Sequence, residues 1–341
     1  MPQDILSLCG LGEPARNLAE IYCKENISHQ ALHTWFTSVD FEKLLPQITC
    51  MASAAGKLTD FSGVPEDVIP RLRGIIRYVH TLNSGMLAGV WALCAKMNEA
   101  GIPLLVTEDA ALYMHDPLKP QRHLWQVFLT VRKRDFQQVL EIVRDTGFAV
   151  EEFVFAAIAR KSVTQQIVIT AVSDNSYQWQ NAVEMKKGTA TVLCASPAVI
   201  LLDICKRIFR ILTKPNPQAF ALCWMMDMRI LLGAMQPEDW QQAAQLAAKE
   251  HVSSHIHMLL SLYAAGTGVP VQQKELFADA KNANRLVGLL ETLRSLPEGR
   301  RKVRRLFVNC RLRRPDSLWH TGRLCVKEAC WVLRNKFIQK N

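Results

Sequence analysis

The stretch PLLVTEDAALYMHDP, residues 103 to 117, decides the fold. An apolar run ends at Thr107, and two acids, Glu108 and Asp109, then open a run with helical spacing. This pattern predicts a buried strand that passes into a helix, with Thr107 as the N-cap. The amino terminus of a helix at such a junction attracts anions, because its first backbone N–H groups lack partners. The two carboxylates at this place therefore need an explanation.

Helices and strands alternate on both sides of this junction. An amphipathic helix is predicted at about 84–100, and a strand at 124–131 that is almost continuously apolar and so should be buried on both faces. Another amphipathic helix ends at Gly147, and 148–159 and 165–172 are further strand candidates. The succession predicts an α+β fold.

Composition and breakers divide the chain into four predicted parts. Prolines 65 and 70 are interpreted as breakers in a region of short helices, and Ser196-Pro197 is interpreted as an N-cap followed by the first residue of a later helix. The predicted parts are an N-terminal helical region (1–75), a mixed α/β core (76–185), a helical domain (186–295) and a basic helical segment (296–341).

General properties exclude several classes of protein. The chain has 341 residues and is 49% hydrophobic, which is ordinary for a globular protein. No apolar stretch reaches the roughly 20 uncharged residues of a membrane span, and the first residues lack the basic region of a secretory signal, so a cytoplasmic location is expected. The 10 cysteines contain no CxxC pair, and buried thiols are the simplest interpretation.

The positive charge is concentrated at the end of the chain. Residues 300–341 carry 13 lysines and arginines against two acids, whereas the rest of the chain is close to neutral. Clustered arginines bind phosphates well, so this segment is predicted either to bind a polyanion, which can be a nucleic acid, an anionic lipid surface or an acidic protein, or to form a solvated helix face. The candidate anion-binding residues are Arg300, Arg301, Lys302, Arg304, Arg305, Arg311, Arg313 and Arg314.

The order of segments around the opening stretch resembles a known family. The positions that carry the resemblance are Ala110, Ala111, Leu112, Tyr113, Asp116, Pro117, Arg122, Val131, Gly147 and Phe148. With the helical region up to about residue 265, they resemble the bacterial uncharacterised nucleotidyltransferases, a branch of the superfamily that shares the DNA polymerase beta palm. The resemblance implies a nucleotidyltransferase-like core, magnesium and a nucleoside triphosphate.

This chain departs from the family at the residues that carry the chemistry. The Asp-x-Asp pair that holds the metal ions falls at Gln126 and Phe128, and no acid lies between Lys161 and Ser173, where a third carboxylate is expected. The Lys-Gly of the phosphate-binding turn is replaced by Glu108-Asp109. These departures from the family pattern predict a degenerate member, with no catalytic residues, no metal ligands and no cofactor.

Several roles remain open for the cleft candidates, which are Glu108, Asp109, Arg122 and Gln126. The two acids can act only as capping residues that stabilise the start of the helix. Alternatively, they can face a cation or a basic peptide, or form a new metal site with His115 or His123. A separate group of three histidines, His251, His255 and His257, fits a packed or solvated helix better than a metal site.

Three functional hypotheses follow. The first is a pseudoenzyme that acts as an adaptor or regulatory module for a protein or polyanionic partner. The second is an active metal-dependent nucleotidyltransferase with relocated acidic ligands, for which magnesium and a nucleoside triphosphate would be the cofactors. The third is a basic accessory subunit whose core is only a scaffold.

Overall fold

The computed structural model describes residues 66–115, 123–124, 126–162, 165–187, 190–212, 218–267, 269–277 and Leu286. The described helices are α1 (Ile69–Glu99), α2 (Glu108–His115), α3 (Phe136–Asp145), α4 (Tyr177–Gln180), α5 (Pro197–Leu212), α6 (Gln218–Ala234), α7 (Pro237–Lys249) and α8 (Ser253–Thr267). The strands are β1 (Leu105–Thr107), β2 (Val127–Arg132), β3 (Ala149–Phe153), β4 (Ala156–Ser162), β5 (Gln165–Val172), β6 (Ala182–Lys187) and β7 (Ala190–Ala195). Two 3-10 turns, Lys133–Asp135 and Gln272–Phe277, complete the described elements.

The strands form one mixed sheet in the order β3-β4-β5-β2-β1-β7-β6. The pairs β2–β5 and β1–β7 are parallel, and the other neighbours in the sheet are antiparallel. Helices pack against this sheet and continue beyond it, so the predicted α+β class is confirmed. The junction at residues 105–108 lies near the middle of the sheet, because β1 pairs with both β2 and β7.

The two faces of the sheet differ in burial at β5. In β5, Ile167 and Ile169 are buried, whereas Val168 between them is partly exposed. This alternation does not continue into β2, where Leu129, Thr130 and Val131 are all buried although successive side chains point to opposite faces. The middle of β2 is therefore buried on both faces, as predicted, and Phe128 near its start is partly exposed.

The first helix is longer than its sequence pattern predicted. It begins at Ile69 and not near Ser84, and Pro70 lies in its first turn. Proline is tolerated there because the first N–H groups of a helix have no partner within it. The interpretation of Pro70 as a breaker is therefore wrong. The division of the chain into four parts stays a prediction.

Two strand predictions need correction. The candidate at 148–159 is a hairpin in which β3 and β4 pair from Ala149–Arg160 to Phe153–Ala156, with a turn at 154–155. The strands β6 and β7 were not predicted, because β7 runs directly into the apolar helix α5 with only Ser196 between them. Ser196-Pro197 begins the helix as predicted, since the Val199 N–H donates to Ser196 Oγ over 3.4 Å.

The helices after the sheet share its hydrophobic core. Trp224 of α6 contacts Tyr263 of α8 edge to face, with ring centroids 6.0 Å apart. Three described cysteines, Cys94, Cys194 and Cys205, are free and buried, as the sequence predicted. Burial raises the pKa of Cys94 and of Cys194 to about 12, so these thiols are unreactive at neutral pH. Among the described residues, no helix is long and apolar enough to span a bilayer.

Candidate functional site

The site begins at the strand-to-helix junction. Thr107 ends β1, and its hydroxyl donates to the carbonyl oxygen of Phe128 over 3.4 Å, which ties β1 to β2. Glu108 begins α2 with a φ of 55°, a left-handed conformation that costs about 1 kcal/mol or more outside glycine. The chain therefore turns sharply here and directs the two acids toward α5.

Arg207 of α5 binds both of these acids and a third one. Its Nη1 lies 3.2 Å from Glu108 Oε2 and also contacts Asp109 Oδ1, and its Nη2 donates to Asp227 Oδ2 over 2.9 Å. The four side chains are nearly enclosed, with 14% of Arg207, 11% of Glu108, 7% of Asp109 and 2% of Asp227 exposed. We call these four residues the Arg207 cluster.

The Arg207 cluster explains why two acids stand at the start of α2. The positive charge opposite Glu108 and Asp109 is supplied by the protein itself, from a guanidinium whose planar fork suits several carboxylates at once. Three carboxylates around one guanidinium leave formal negative charge in front of α2, which its amino terminus partly compensates. A phosphate that approached α2 from this side would meet carboxylate oxygens.

A second polar group lies beside the Arg207 cluster on α5. The hydroxyl of Tyr177 donates to Asp203 over 2.6 Å, and Lys206 Nζ donates to that hydroxyl over 3.0 Å. Lys206 also lies 3.4 Å from Glu250. Burial, together with the charges of Asp203, Glu250 and Glu108, raises the pKa of Tyr177 far above its usual value, so Tyr177 is a hydrogen-bond donor and not a base.

We expect Tyr177→Phe to lower the free energy of unfolding by about 1–3 kcal/mol, because Asp203 is buried and loses an O–H donor. Urea unfolding followed by circular dichroism measures the effect. Tyr78→Phe is the matched control, since Tyr78 is 59% exposed and should tolerate the change. Equal stability of the wild type and Tyr177→Phe would contradict this role.

The positions predicted to replace the Asp-x-Asp pair lie at the start of β2. Gln126 Oε1 accepts a hydrogen bond from Gln166 Nε2 over 3.3 Å, and Phe128 follows on the partly exposed face. An amide and an aromatic ring thus stand at these two positions. The structure does not join Gln126 to the Arg207 cluster by any contact, and Arg122 lies outside the described residues.

Two sets of histidines entered the metal hypotheses: His115 or His123 as partners of the two acids, and the separate group His251, His255 and His257. His115 Nε2 contacts the carbonyl oxygen of Ala195 over 2.8 Å. His255 is buried, and its pKa is lowered to about 3 by burial and by the charge of Lys206, while His257 Nδ1 contacts the Lys274 carbonyl over 3.1 Å. Within the described ranges, no three His, Cys, Asp or Glu side chains are arranged to hold a metal ion.

The pattern of the sequence missed Arg207 as a site residue. The sequence feature that comes nearest to predicting Arg207 is Asp227, an acid in the apolar run WMMDM of α6. An acid in such a run is buried and needs a positive partner. Nothing in the spacing of α5 identifies that partner. The basic residues from Arg300 to Arg314 lie outside the described residues.

Comparison of the sequence with family models finds no match. A search of curated proteins finds none with significant similarity.

Comparison of the structure finds partial likeness to nucleotidyltransferases. The antibiotic-resistance factor ANT(2'')-Ia matches 51% of this chain and 98% of its own, with 15% identity and a TM-score of 0.38. The lincosamide antibiotic adenylyltransferase LnuA matches 43% and 96%, with 10% identity and a TM-score of 0.33. An antigenic nucleotidyltransferase-like protein from Paracoccidioides brasiliensis matches 51% and 91%, with 16% identity and a TM-score of 0.32. At these TM-scores the likeness is partial, and the α+β fold rests on the sheet and helices described above.

Proposed function

We propose that this chain is a nucleotidyltransferase-like protein without catalysis, which acts as a binding or regulatory module. The observation that carries the proposal is the Arg207 cluster. In an active site of this kind, the start of α2 would receive phosphate groups and nearby acids would hold divalent ions. Here Glu108 and Asp109 are instead bound by Arg207.

The residues of β2 support the same proposal. Two-metal catalysis needs hard anionic ligands that lie on one face of a strand. Gln126 and Phe128 have the required spacing, but one side chain is an amide bound to Gln166 and the other is a hydrocarbon. Neither can replace a carboxylate as a magnesium ligand in the way that the chemistry requires.

The convergence of three carboxylates favours one alternative. Glu108, Asp109 and Asp227 come from two helices and meet at a single guanidinium. If Arg207 moved away, these acids would be the relocated ligands of an active metal-dependent nucleotidyltransferase acting on a small molecule, a protein or RNA. The two proposals differ in whether magnesium and a nucleotide can displace Arg207.

Calorimetry separates the two proposals. Full-length protein is titrated with ATP, GTP, CTP and UTP in turn, each with magnesium chloride, and we expect no binding at millimolar ligand. Micromolar binding that requires magnesium and disappears in Glu108→Gln would overturn the proposed loss of catalysis. Glu141→Gln is the matched control, because Glu141 is an exposed glutamate on α3.

The partner is proposed from charge. Residues 300–341 carry a net charge of +11, which favours an acidic protein or a nucleic acid. Binding to single-stranded RNA and to duplex DNA is measured from 50 to 300 mM salt, and we expect affinity that falls steeply with salt. Replacing Arg300, Arg301, Lys302, Arg304 and Arg305 with Gln should abolish it. No binding at the lowest salt would leave an acidic protein as the proposed partner.

A further inference from the structure

A cavity of about 540 Å³ lies beside α1, away from the Arg207 cluster. One side is formed by α1, and the other by the end of α3 and the starts of β2 and β5. We call this cavity the α1 groove. Its volume falls in the range of about 300–1,000 Å³ that is usual for pockets that bind small molecules.

The floor of the α1 groove is apolar. Val127 and Ile167, which pair across β2 and β5, lie at its base, and Met86, Leu93 and Phe148 add further hydrocarbon. Most of these side chains belong to the hydrophobic core. The hydrophobic core itself therefore closes the base of the groove, and Phe148 is the more exposed of these side chains.

Two glycines of α1 lie along the groove. Gly85 and Gly89 line it, and a Cβ atom built on either residue would meet nothing within 4 Å. Packing within the described protein therefore does not require glycine at these positions. Glycine within a helix is less favourable than alanine by about 1 kcal/mol. The two glycines therefore lower the stability of α1 and leave the space beside them free of side-chain atoms.

The rim of the groove carries more positive than negative charge. The ammonium groups of Lys96 and Lys161 line it together with the carboxylate of Asp145. Lys161 donates to the carbonyl oxygen of Thr146 over 3.3 Å, and its ammonium lies 5.7 Å from the ring centroid of Phe148. Lys96 is exposed, and no hydrogen bond or ion pair joins its ammonium to another described residue.

We propose that the α1 groove binds a small organic anion with an apolar body, whose carboxylate, sulfonate or phosphate group faces Lys96 and Lys161. The apolar part covers Val127 and Ile167 and occupies the space beside Gly85 and Gly89. None of the four residues of the Arg207 cluster lines the α1 groove, so ligand binding there does not rest on the function proposed above.

A pair of fluorescent probes tests the proposal on the full chain. One is 8-anilinonaphthalene-1-sulfonate, an aromatic anion, and the other is N-phenyl-1-naphthylamine, which has the same rings without the sulfonate. We expect one strong site for the anion, and a loss of at least about tenfold in affinity in Gly89→Leu, whose side chain fills the groove. Gly74→Leu is the matched control, since Gly74 lies on α1 outside the groove and also has open space around it.

The lysines provide a second test that does not depend on Gly89. We expect the double variant Lys96→Gln, Lys161→Gln to weaken the sulfonate probe about three- to tenfold and to leave the neutral probe unchanged. Lys249→Gln, an exposed lysine on α7, is the control. Absence of probe binding to the wild type, or equal binding of the anion to wild type and Gly89→Leu, would overturn the proposal. Equal loss of both probes in the lysine variant would overturn the preference for an anion.

Discussion

Replacing Arg207 with methionine is expected to lower the free energy of unfolding by about 3–5 kcal/mol at pH 7, the effect of removing one partner from a buried ionic group. Methionine keeps much of the apolar volume of the arginine stem, so the loss is mainly electrostatic. Glu108, Asp109 and Asp227 would then face one another without a cation in a site that excludes most water. Urea unfolding of the full chain measures the change.

A matched control separates the buried cluster from an ordinary surface ion pair. Arg134→Met is the matched control, because Arg134 pairs with Asp174 at the surface and its side chain is 62% exposed. Its loss should stay below about 1 kcal/mol. A similar loss in both variants would show that the Arg207 cluster does not stabilise the fold.

The second large effect concerns His255 in α8. In the unfolded chain an imidazole takes up a proton near pH 6.5, whereas His255 in the folded protein has a pKa of about 3. The unfolded state therefore binds more protons between these values, and the contribution of His255 to stability is lost as the pH falls below about 6.5. At pH 4.5 this loss amounts to about 2–3 kcal/mol relative to pH 7.

The variant His255→Gln removes the titrating group. Between pH 7 and pH 4.5 the free energy of unfolding should fall less in His255→Gln than in the wild type. The difference between the two falls should be about 2–3 kcal/mol. The exposed histidine of α1 gives the control His80→Gln, which should follow the wild type. Parallel pH profiles for wild type and His255→Gln would show that His255 takes up its proton in the folded state.

The sequence predicted the parts of the fold that depend on local pattern. The strand β1, the helix after it and the amphipathic helix that ends at Gly147 follow from apolar spacing and from glycine. The strand β7 did not, because the apolar run from Val192 to Ile204 contains both a strand and a helix and its period is obscured. The hairpin turn at 154–155 lacks glycine, asparagine and proline, and so gave no signal.

The candidate site was predicted only in part. Glu108 and Asp109 stood out because they follow an apolar strand, and Gln126 and Phe128 because the family resemblance places its Asp-x-Asp pair there. Arg207 lies 98 residues from Asp109 along the chain. Such a pairing is decided by the packing of α5 against α2, which no periodicity in either segment reveals.

The Arg207 cluster also restricts how this sequence can vary. Introducing Lys-Gly at positions 108 and 109 would place a lysine ammonium near the Arg207 guanidinium and leave one acid, Asp227, to neutralise both. Replacing Arg207 alone would leave three acids together. No single substitution among these positions keeps the charges of the cluster balanced. Descendants of this chain should therefore either keep all four residues or exchange them as a group.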